Sequence, residues 1–136
     1  ITTGNHAFRR RESYALYEEH PYVLRPANFP EGTTPGRGSC LVDLGRLQVQ
    51  VINLMGTVYL ESLDCPFRTA DRILAEPDRP KITVVDFHAE GHREKNGLWG
   101  FIWTAGSPPC SALIPTFKTA DETILPRAPA ISLTRA

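Results

Sequence analysis

Two short stretches carry residue types that can ligate a metal or move a proton. Gly4-Asn5-His6 follows the strand-like Ile1-Thr2-Thr3 and precedes a helix-like segment, while Asp86-Phe87-His88-Ala89-Glu90 closes an almost wholly apolar run that begins at Ile82. Layered α/β domains present ligand-binding side chains at the carboxyl ends of their strands, which is where both stretches fall. Asn5 offers an amide oxygen to a hard cation, and His6 and His88 each offer an imidazole that ligates a metal or shuttles a proton. Asp86 and Glu90, on either side of His88, are spaced to orient its ring. Each stretch also has a purely structural reading: Asn5-His6 as a strand-to-helix turn with an N-cap, His88 as a satisfied core histidine. Two histidines at two strand ends that can converge favour a site over either alone. His20 and His92 stand in helix-end or surface settings and read as ordinary.

The glycine-rich stretch Gly32-Thr33-Thr34-Pro35-Gly36-Arg37-Gly38 invites a phosphate-loop reading. It has neither the terminal Lys-Ser/Thr of a P-loop nor a helix after it, so a triphosphate-binding loop is excluded. Arg25 and Arg37 flank this loop and read either as phosphate partners or, more simply, as solvated surface arginines.

The elements that must position these residues are legible in part. Residues Phe8 to His20 mix Tyr14, Leu16 and Tyr17 among charged residues, which predicts a half-buried helix stopped by Pro21. A short strand, Tyr22 to Arg25, leads into the long Pro/Gly segment Pro26 to Gly38, and long ordered loops tend to be functional. Cys40 to Leu44 and Leu47 to Leu54 predict a hairpin through Gly45-Arg46, with Leu47, Val49 and Val51 turned inward. Phe67, Ala70, Ile73 and Leu74 fall at helical spacing within Cys65 to Ala75, with Asp64 as N-cap and Pro77 beyond the end. Ile82 to Phe87 reads as a buried central strand ending at His88. Beyond Glu94, glycines and prolines interrupt every period and no element is predicted. Strands alternating with helices predict an α/β layered domain.

Composition limits the function classes. The 136 residues are 41% hydrophobic and 22% charged, enough for one modest domain. Fifteen basic residues balance fifteen acidic ones, which leaves no electrostatic stripe for bulk nucleic acid or anionic membranes. No apolar run approaches the length of a bilayer span. Cys40, Cys65 and Cys110 are odd in number and widely spaced, the pattern of reduced thiols, which predicts a soluble cytoplasmic protein.

Taken in order, Thr3-Gly4-Asn5-His6, Leu24-Arg25-Pro26-Ala27-Asn28 with Thr34-Pro35-Gly36, Val51-Ile52-Asn53-Leu54-Met55-Gly56, Asp86-Phe87-His88-Ala89-Glu90-Gly91 and Thr119-Ala120-Asp121-Glu122-Thr123-Ile124-Leu125-Pro126 resemble the YmdB-type branch of the calcineurin-like metallophosphoesterases. The resemblance implies an αββα sandwich with mixed sheets, here one partial domain over residues 1–136. It implies two divalent metal ions, iron or manganese, and hydrolysis of a small phosphodiester such as a cyclic nucleotide; a homo-oligomer is one option for assembly, which the sequence does not decide. Carried over by position, Asn5 and His88 resemble metal ligands and His6 the residue that protonates the leaving oxygen.

The chain also departs from the family's pattern. The family's early aspartate and its Glu-Asn pair would lie before Ile1, so the resemblance predicts a domain whose start is missing. Where the family carries Gly-Thr-His-Thr-His, this chain reads Ala112-Leu113-Ile114-Pro115-Thr116. Codons allowed for Phe101 to Lys118 include a set whose one-base-shifted frame spells that histidine segment, and residues 127–136 behave likewise. Compensating insertions or deletions would account for the irregularity of this stretch; coding DNA without His-Thr-His in the other frame would refute that, leaving divergence to a non-catalytic loop. The expectation is a phosphodiesterase in the parent protein and a nearly inactive chain as written. The alternative is a binding or scaffold domain that has lost its metals.

Overall fold

A computed structural model describes residues 1–91, 93–98, 110–115, 123–124 and 131–132. The element order is α1 (Glu12–Glu19), β1 (Ser39–Asp43), β2 (Gln48–Met55), α2 (Pro66–Leu74), β3 (Ile82–His88), a helical turn over residues 93–98, β4 (Cys110–Pro115), β5 (Thr123–Ile124) and β6 (Ile131–Ser132). The strands form one mixed sheet in the order β1-β2-β3-β4-β6-β5. β2, β3, β4 and β6 run parallel, and β1 and β5 lie antiparallel at the edges. Parallel neighbours need a crossover, and α2 supplies the one between β2 and β3. The α/β layered domain expected from the sequence is the fold observed. Among the described residues no helix is long and apolar enough to cross a membrane.

The hairpin forms as predicted. Gly45 adopts φ 80° at its turn, a left-handed conformation that glycine reaches without strain, and its N–H donates to Asp43 Oδ1 at 2.7 Å. Its inward face is a correction: Gln50, Ile52 and Leu54 are buried, whereas Leu47 is exposed and Val49 and Val51 only half-buried. In register, Gln50, Ile52 and Leu54 stand beside Thr83, Val85 and Phe87 of β3. This face packs on Ala70, Ile73 and Leu74 of α2, with Leu98 and Ala89 completing the cluster. The glutamine is tolerated there because Thr83 Oγ1 donates to its Oε1 at 3.4 Å.

α2 begins one residue later than its expected cap. Cys65, not Asp64, occupies the N-cap, without a side-chain cap bond, and Pro66 at the first helical position supplies a preset φ instead. Asp64 is engaged elsewhere: its N–H donates to the Asn28 backbone oxygen at 3.1 Å. α1 is shorter than predicted, because residues 7–11 close into turns before it; only Tyr17 of the helix is buried. The predicted strand at Tyr22 to Arg25 shrinks to single bridges in which Leu24 pairs in parallel with Thr2 and with Arg37. No local pattern predicts β4. The segment Phe101 to Lys118, apart from β4, and residues 127–136, apart from β6, lie outside the described residues, as does His92.

On the face opposite α2, the extended segments at Thr2, Leu24 and Arg37 form a second layer over the carboxyl halves of β2 and β3. Asn53 stitches the layers together: its Nδ2 donates to Thr3 O at 2.8 Å and Leu24 O at 3.0 Å, and its backbone bonds Gly38 and Ala27. Thr2 Oγ1 donates to Asp86 Oδ2. These contacts place the segment that follows Thr3 above the end of β3.

Candidate active site

β2 and β3 end together, with Met55 beside His88 in register. The next residue, Gly56, donates its N–H to His88 O at 2.9 Å, so the loops leaving both strands start from one point. Above them, the turn at Gly4 brings in Asn5, whose Oδ1 lies 3.1 Å from His88 Nε2. Gly4 is needed for that approach: a Cβ built on it would lie 2.6 Å from His88 Nδ1. Gly4→Ala is therefore expected to push the imidazole away from Asn5. The His88 ring resonances should shift in an NMR spectrum while the rest of the fold is retained; an unshifted ring would contradict the contact.

His6 joins the same corner. It lines, with Asn5, Phe8, Arg9, Phe29 and Glu61, a cavity of about 310 Å³. Burial lowers the His88 pKa below its ordinary 6.5; the carboxylates of Asp86 and Glu90 oppose that shift, and His6 and Lys95 reinforce it. A neutral imidazole at physiological pH is the form that offers a lone pair. The depressed value also has a stability consequence, because the unfolded chain takes up this proton more readily than the folded one. The contribution of His88 is complete above pH 6.5 and is lost as pH falls from there through the folded value. Urea titrations are expected to show a fall in stability below that pH, and His88→Gln to flatten it; an equal slope in both proteins would contradict the assignment.

Two polar residues outside the sequence-predicted set hold this corner in place. Asn28 is fully buried, accepts from Met55 N at 2.9 Å, and donates to Met55 O at 2.7 Å and Asp64 O at 3.0 Å. Buried Glu94 accepts from Thr57 N at 2.8 Å, Thr57 Oγ1 at 3.3 Å and Val58 N at 3.3 Å. Glu94 secures the loop after β2 against the turn that follows β3, and Asn28 ties the end of β2 and Asp64 to the segment Pro26 to Gly38. Neither carries a local signal, since their partners lie 27 to 37 residues away. Arg25 departs from its simpler reading as a solvated arginine. It is buried, donates to Pro35 O and Pro26 O at 3.2 and 2.9 Å, and braces its own loop. His20 caps the exposed end of α1, as expected of an ordinary residue.

The donor set bears on whether cations fit. Two adjacent ligands about 2.1 Å from one cation stand about 3.0 Å apart, which is the spacing of Asn5 Oδ1 and His88 Nε2. Two neutral donors are nevertheless a fragment of a ligand shell. Among the described residues no group of three or more His, Cys, Asp and Glu is arranged to hold a metal. These residues by themselves do not fit a pair of cations.

The YmdB-like protein family model matches residues 1–133. This chain belongs to the YmdB-like family. The YmdB-like chain is 42% identical over 135 residues to the 2',3'-cyclic-nucleotide 2'-phosphodiesterase of Bacillus subtilis (strain 168), spanning 96% of this chain and 49% of that protein. A hypothetical protein from Thermus thermophilus superposes with a TM-score of 0.86 at 35% identity, over 99% of this chain and 52% of the other. A phosphatase from Mycoplasma pneumoniae shares the fold, with a TM-score of 0.80 at 23% identity over 97% and 48%. The YmdB-like chain thus spans about half the length of the relatives it matches.

Proposed function

We propose that this chain is part of a metal-dependent phosphodiesterase acting on 2',3'-cyclic nucleotides or closely similar small phosphodiesters in the cytoplasm. One observation carries the reading: Asn5 Oδ1 and His88 Nε2 converge at 3.1 Å beside a cavity that His6 also lines. The name of the Bacillus subtilis relative supports the substrate class. Free thiols at Cys40 and Cys65 support the reducing compartment. In this reading Asn5 and His88 are two ligands of a site for two divalent ions, iron or manganese, that needs further ligands. His6 gives a proton to the departing alkoxide oxygen as the phosphorus–oxygen bond breaks.

The shortage of donors has a functional consequence. Neutral amide and imidazole groups without carboxylates hold divalent cations weakly, so this chain by itself is a nearly inactive form. The same shortage supports the second reading, a binding or scaffold domain without metals. Titration of the purified chain with manganese, followed by incubation with bis(p-nitrophenyl) phosphate, separates them. Weak manganese binding that His88→Ala abolishes, with no turnover above the metal-only blank, is the expected outcome. Rapid turnover would contradict the inactivity, and no manganese binding at all would favour the scaffold.

A further inference from the structure

The cavity beside Asn5 and His6 is not a plain phosphate site. Its walls include Phe8 and Phe29, whose ring centroids lie 5.2 Å apart in an edge-to-face arrangement. Phe8 is itself held by Tyr14 and Tyr17, at 5.1 and 5.0 Å, so its orientation is set by a four-ring cluster. Arg9 and Glu61 complete the lining. Among the described residues the side chains of Arg9 and Glu61 have no ion-pair or hydrogen-bond partner. Fixed aromatic walls, with an uncommitted carboxylate and a guanidinium on the rim, suit a planar heteroaromatic ring that carries N–H donors.

We infer that this cavity is the base subsite for a nucleotide, with Phe8 and Phe29 as its aromatic walls and Glu61 selecting guanine. The inference rests on the nucleotide reading above and deepens it. Among the bases, guanine alone presents two adjacent donors on one edge, its ring N–H and its amino group, and a carboxylate accepts both at once. Uracil offers a single N–H flanked by two carbonyl oxygens, which the carboxylate repels. Arg9, which lines the same cavity, offers a guanidinium to the cyclic phosphate that the ribose carries, the reacting group itself.

The test is an NMR titration of the 136-residue chain with guanosine 3'-monophosphate, uridine 3'-monophosphate, ribose 5-phosphate and bis(p-nitrophenyl) phosphate. Guanosine monophosphate is expected to bind about ten-fold tighter than uridine monophosphate, and Glu61→Gln to bring the two within about two-fold. Phe8→Leu, with cooperative thermal unfolding as proof of folding, should weaken both nucleotides and leave ribose 5-phosphate unchanged. Equal affinity for nucleotides and ribose 5-phosphate, or a guanine preference that survives Glu61→Gln, would overturn the subsite while leaving the phosphodiester reading intact. If none of the four compounds binds, the subsite fails, and the phosphodiesterase reading is decided separately by the manganese titration above.

Discussion

Replacing Asn28 by alanine is expected to destabilise the chain by about 3–5 kcal/mol, since each buried backbone group left without a partner costs about 1–3 kcal/mol. Two such groups, Met55 N and Met55 O, depend on this one side chain, and the part-buried Asp64 O shares it. Asn28 is fully buried, so water cannot take over without opening the loop. The loss is not confined to stability. Met55 is in register with His88, and the following Gly56 bonds to the His88 carbonyl, so freeing Met55 loosens the floor of the Asn5–His88 corner. Urea unfolding monitored by circular dichroism gives the stability change, and the His88 ring signals report the corner. Asn28→Asp is an informative companion, because it keeps an acceptor for Met55 N but removes both donors and buries a charge. It should be no more stable than the alanine variant. A loss under about 1 kcal/mol in the alanine variant would show that these backbone groups find other partners.

Phe87→Ala should cost about as much, roughly 3–5 kcal/mol, by a different route. Phe87 is fully buried within the cluster of Ile52, Leu54, Ala70, Ile73, Leu74, Val85 and Leu98. Truncation removes the hydrophobic contact of a whole ring and leaves a cavity that the sheet and α2 cannot close, since strand hydrogen bonds hold the backbone on both sides. Phe87→Leu refills most of that space and is expected to lose about 1–2 kcal/mol. The midpoint of urea unfolding measures both. An alanine variant within about 1 kcal/mol of the parent would mean that the α2 face of the sheet is not closely packed.

Local signals were decisive wherever burial or turn chemistry was written in a few consecutive residues. Ile82 to Phe87 is mostly apolar because β3 has strand neighbours on both sides and layers on both faces over its carboxyl half. Gly45 marks a turn that requires positive φ, and Phe67, Ala70, Ile73 and Leu74 repeat at helical spacing. The same kind of reading failed on β2: Leu47, Val49 and Val51 look like the inward face, but Gln50 is the buried partner of Thr83. Alternation reveals that two faces exist; which of them is covered depends on where α2 lands. β4 escaped because prolines at 108, 109 and 115 mask a segment whose strand character comes from pairing with β3.

The site divides along the same line. Residue types and positions at strand ends singled out Asn5, His6 and His88 from the sequence alone, because a strand that ends in an imidazole is a local pattern. Their meeting was decided by tertiary structure: Asn5 and His88 are 83 residues apart in sequence, and only the packing of the Thr2–Leu24 layer on β2 and β3 brings them to 3.1 Å. Asn28, Glu94 and the aromatic walls of the cavity belong wholly to that second category. A polar or aromatic side chain has no fixed role until the backbone groups or rings it will meet are brought beside it, and those come from distant parts of the chain.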